Sequence, residues 1–169
     1  MSLLALTSAG WVQILNFVLT GVLVIVFARA LRSTMAGTRG GAWGPRLLAI
    51  MGVGLVVAGA FVTDGGAGYP AGAPSGAPDI SWHGALHEVG FVMAMLSWTI
   101  ATFVFRSHYA NVGAKRLARL SLASVVAVFA VSVIPHADSF VARTAVATFV
   151  QFAFIAMVAV HSLRRISIT

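Results

Sequence analysis

The side chains best able to do chemistry collect in three short stretches of this 169-residue chain: Asp64; then His83, His87 and Glu88; then His136 and Asp138. His83 and His87 are four apart, so on a helix they share one side. Two imidazoles at that spacing can ligate one metal ion. His136 and Asp64 could add a nitrogen and an oxygen from neighbouring helix ends. Zinc or another divalent metal is the cofactor such a set would take. Glu88 or Asp64 would then be the candidate catalytic base for a metal-bound water. The spacing is not the full His-Glu-x-x-His arrangement, because Gly84 follows His83. A structural reading competes with the chemical one. Histidines can bond to helix ends, aspartates cap helices, and Arg143 can pair with Asp138, Glu88 or Asp64.

Other polar groups sit inside apolar runs. Gln13, Asn16 and Thr20 follow i, i+3, i+7 spacing, and Thr144, Thr148 and Gln151 follow i, i+4, i+7. Groups at such positions should face protein or water rather than lipid. With Tyr69 from the segment between the second and third apolar runs, the expected ligand-binding set is Asn16, Asp64, Tyr69, His83, His87, His136, Asp138, Arg143 and Gln151.

The elements that must carry these residues are membrane helices. The chain is 59% hydrophobic and 9% charged, with a mean hydropathy of +0.95. Roughly 20 residues of helix cross the hydrocarbon core. Five apolar runs qualify as spans, at about 10–31, 47–62, 82–105, 117–134 and 140–163, the second and fourth being short. The expected fold is all-α: a polytopic transmembrane bundle of five spans forming one integral membrane domain over residues 1–169. The interval 63–81, rich in Gly, Pro and Asp, predicts no stable secondary structure and could cover the mouth of the bundle. Ser81 or Asp79 would cap the third helix.

Charge sets the orientation. In a five-span arrangement ten of the eleven Lys and Arg fall on one side of the membrane, Arg143 is the exception, and Asp64, Asp79, Glu88 and Asp138 lie opposite. The positive-inside rule then puts the C-terminus in the cytoplasm and the N-terminus outside. The formal charge of +7 therefore reads as topology rather than nucleic-acid binding, because no basic helix with polar spacing or aromatic platform accompanies it. The absence of cysteine excludes disulfides and thiolate sites. The Gly-rich stretches lack the Gly-Lys-Ser/Thr ending of a phosphate loop. Gly52, Gly54, Ala58 and Gly59 suit close helix packing.

A family resemblance rests on Gly10-Trp11-Val12-Gln13, Asn16-Phe17 and Thr20-Gly21, then Thr63-Asp64, Gly68-Tyr69-Pro70-Ala71-Gly72 and His83-Gly84-Ala85-Leu86-His87. Together these resemble the domain of unknown function 998 (DUF998) family of bacterial multi-span membrane proteins. The resemblance implies a six-span plan, of which this chain starts at the second span, and it brings no catalytic role for Asp64, Tyr69, Pro70, His83 or His87. The functional expectation is a protein of the bacterial plasma membrane whose polar, acidic and histidine-bearing outer face binds a lipid, an envelope component or a partner protein. The alternatives are a metal-dependent hydrolase acting on lipid and a small transporter or permease subunit. Whether it is an enzyme stays open. Expected partners are membrane lipids and either a second copy or another membrane protein, with no nucleic acid.

Overall fold

A computed structural model describes residues 2–35, 39–66, 68–76, 79–133 and 140–166. A 3-10 turn at Ser2–Leu6 precedes five helices: α1 (Gly10–Thr34), α2 (Arg39–Ala60), α3 (Trp82–Asn111), α4 (Lys115–Ser132) and α5 (Phe140–Ile166). The described residues hold no strand beyond an isolated bridge between Gly66 and Tyr69. Helix is the form that long apolar runs must take where water cannot satisfy the backbone, because each N–H and C=O then bonds within its own segment.

Four helices are long and apolar enough to cross a membrane: α1, Gly40–Ala60 of α2, α3, and Val141–Arg164 of α5. The fourth expected span falls on α4, which is not among them. It has 18 residues and carries Lys115, Arg116 and Arg119 at its start, and its whole length is about 27 Å at 1.5 Å per residue.

The second helix begins at Arg39, well before the expected 47, and continues through Pro45. Pro45 has no N–H to donate to the carbonyl four residues back. The Gly-rich stretch that reads as a turn is helical here because its glycines admit close neighbours. Added Cβ atoms at Gly40 and Gly44 would crowd His108 and Phe105 of α3.

The chain divides into two compact units, one of Met1–Val26 and Ala49–Ser97, the other of Phe27–Leu48 and Trp98–Thr169. In the first, α2 presents one small-residue face to α1 and another to α3. Gly52 meets Gly21, and Gly59 meets Phe17 and Ile14, whereas Gly54 meets Gly90 and Ala94. A side chain at Gly52 or Gly54 would overlap the facing backbone, so glycine sets the closeness of these contacts.

The second unit is built on aromatic rings. Trp98, Phe105, Tyr109 and Phe154 are fully buried. Phe154 stands edge-on to Trp98 at 6.0 Å and to Phe105 at 5.8 Å, an arrangement that suits the ring quadrupoles. In this unit α4 packs on α5. The serines of α4 turn inward on their own helix: Ser121, Ser124 and Ser132 each donate to the carbonyl four residues back. All eleven Lys and Arg belong to the second unit and none to the first, which holds Asp64, Asp79 and Glu88.

Candidate functional site

The geometry around Asp64 starts from two helix ends. The last carbonyls of α2 and the first N–H groups of α3 have no partners within their own helices. In the first unit these two ends lie together, and the polar residues singled out above satisfy them.

At the start of α3, Ser81 is the cap. Its Oγ accepts the Gly84 N–H at 3.1 Å, and its carbonyl accepts the Ala85 N–H at 2.9 Å. Asp64 then holds the cap itself: Oδ2 accepts the Ser81 N–H at 2.8 Å and Oδ1 accepts the Ser81 hydroxyl at 2.7 Å. The Ser81 hydroxyl thus donates to one group and accepts from another, which is its natural capacity. Ser81 was an expected cap; its clamp by a residue 17 positions upstream was not. Gly84 is required by the same contact, because a Cβ there would overlap the Asp64 carboxylate. The bonds from the Ser81 hydroxyl and N–H hold the Asp64 pKa below its ordinary value, helped by the imidazoles of His83 and His87 and opposed by desolvation.

At the end of α2 the two histidines do the matching work. His83 Nδ1 donates to the Val62 carbonyl at 3.0 Å and lies 3.8 Å from Asp64 Oδ1. His87 is 3% exposed. Its Nδ1 is shared between the Ala58 carbonyl at 2.7 Å and the Phe61 carbonyl at 2.9 Å. A carbonyl only accepts, so Nδ1 carries the proton. The His87 Nε2 lies 3.0 Å from the Ser2 hydroxyl. Phe17 packs edge-on against the ring at 6.2 Å. The four-residue spacing does put both imidazoles on one side of α3, where they meet backbone carbonyls.

Of the expected metal set of His83, His87, His136 and Asp64, the structure describes His83, His87 and Asp64. Both Asp64 oxygens receive hydrogen bonds from Ser81, and His87 is bonded at Nδ1 to the Ala58 and Phe61 carbonyls and at Nε2 to Ser2. No group of three or more metal-capable side chains occurs among the described residues. His136 and Asp138 lie outside them. Glu88 is exposed beside His87.

The remaining expected residues separate. Tyr69 is exposed on the loop after α2 and is joined to Pro70 by a cis peptide bond. That loop is more ordered than its composition suggests: the Gly68 N–H donates to the Pro74 carbonyl, Tyr69 to Gly66, and Ala73 to Pro70. Gly68, with φ of 75°, adopts a left-handed conformation that glycine accommodates. In the second unit, Gln151 is buried and Arg143 donates to the Ser132 carbonyl at 3.3 Å. Asn16 is exposed on α1. Ser2 was missed altogether. It lies in a short tail without periodicity, and nothing in its spacing marks it as a partner of His87.

A family model described as a protein of unknown function (DUF998) matches residues 1–163. Neither the curated proteins nor the solved structures gave a match.

Proposed function

We propose, from the premise that the chain belongs to the DUF998 family of multi-pass membrane proteins, that it is a non-enzymatic docking protein with a rigid acidic and aromatic face at the membrane surface. The observation that carries this reading is the Asp64–Ser81 clamp, which ties the loop after α2 to the first turn of α3. Around that clamp the side chains of Tyr69, Ile80 and Trp82 are exposed, as are Asp79 and Glu88. Large apolar groups beside carboxylates suit an envelope component or membrane protein that brings both apolar and cationic groups.

In this reading α4 is a fifth crossing, with Lys115, Arg116 and Arg119 at its cytoplasmic end, and the chain forms one membrane domain. The C-terminus is cytoplasmic, and the Asp64 face lies outside. The placing of ten of the eleven Lys and Arg on the cytoplasmic side, with Arg143 opposite, supports that orientation.

The test is a photo-crosslinking amino acid at position 69 or 82 in native membranes. A discrete adduct is expected from both positions, and Asp64→Ala should remove it by releasing the loop. Crosslinking to bulk lipid alone, or an adduct indifferent to Asp64→Ala, would contradict the proposal.

A further inference from the structure

One polar residue of the first unit is on the wrong side of its helix. Asn16 is exposed on α1, and its side-chain amide has no hydrogen-bond partner among the described residues. It lies five residues beyond the exposed Trp11, or about 7.5 Å deeper along the helix at 1.5 Å per residue. With Trp11 at the membrane interface, the amide reaches into the hydrocarbon region, where acyl chains offer it neither donor nor acceptor.

The surroundings of Asn16 have a definite pattern. Val12, Leu15, Leu19, Val22, Leu23 and Val26 are each between 44% and 66% exposed. With Asn16 they occupy positions i, i+3, i+4, i+7, i+10, i+11 and i+14, a heptad seam about four turns long. The opposite side of α1 is already used, with Gly21 and Phe17 against α2. The seam is therefore an apolar stripe with a single amide in it, the form in which polar residues fix the pairing and register of helices.

We infer that α1 is a self-association helix, and that a second copy of this chain covers the seam with the two Asn16 amides bonded to each other. The choice of a second copy follows from the chemistry of the amide. It carries both donors and an acceptor, so across a twofold axis each Asn16 supplies what the other lacks. The inference does not depend on the proposed docking face.

The absence of cysteine from the chain makes the test direct. Single-cysteine variants Leu19→Cys and Val26→Cys, reconstituted in phosphatidylethanolamine–phosphatidylglycerol vesicles, are oxidised alongside Phe149→Cys, which is 74% exposed on α5 and measures random encounter. Disulfide dimer should dominate at 19 and 26 and stay at background at 149. In a lipid dilution series read by energy transfer, Asn16→Leu should raise the dissociation constant about three- to thirtyfold, the worth of an interhelical hydrogen bond. Circular dichroism checks that this surface substitution leaves the helices intact. Equal crosslinking at all three positions, a monomer at every dilution, or a constant unmoved by Asn16→Leu would overturn the inference.

Discussion

Asp64, Ser81, His83, Gly84 and His87 act as one unit at the residue scale, and each has a different vulnerability. Ser81→Ala removes the cap of α3 and should cost about 0.5–2 kcal/mol, read as a lowered melting temperature in detergent. His87→Ala strips the Ala58 and Phe61 carbonyls of their donor and should cost about 1–3 kcal/mol, the penalty of leaving buried groups unpaired. Asp64 carries a pH dependence of known sign. Its folded pKa is depressed, so its contribution is complete above the ordinary aspartate pKa and fades as pH falls through the lower folded value. Trp82 fluorescence should therefore hold steady through mildly acidic pH and change only in strong acid, and Asp64→Asn should abolish that step. The cluster itself was legible, because Asp64, His83 and His87 stand out in an apolar chain. Its role was not. The partners of both histidines include backbone carbonyls at or just beyond the end of α2, and no side-chain pattern marks a carbonyl as waiting for a donor.

At the element scale, the packing of the first unit depends on where α2 has no side chain. Gly52 lies against the Gly21 backbone and Gly54 against that of Gly90. Gly52→Leu should push α1 from α2 and destabilise by about 1–3 kcal/mol or more, as overpacking does, again measured by thermal unfolding. The small residues of α2 read correctly as packing positions from the sequence, but their division between two neighbouring helices needed the structure. The start of α2 was the clearest misreading. Arg39, Gly40, Gly41, Gly44 and Pro45 have the composition of a turn, and helix propensity argues against them. Tertiary contact with Phe105 and His108 reverses that preference, because only residues without a side chain fit there.

For the whole molecule, composition was enough to identify a membrane protein, and four helices are long and apolar enough to cross. The count is harder at α4, where three basic residues in an 18-residue helix leave a short apolar segment. The polar residues of the Asp64 face join helix ends to one another. Hydrogen–deuterium exchange at the Ser81 and Gly84 amides tests this most directly, comparing wild-type protein with and without chelator and the Asp64→Ala variant. The account predicts protection that survives chelation and is lost in Asp64→Ala. Protection lost on chelation, with release of a stoichiometric metal, would contradict it.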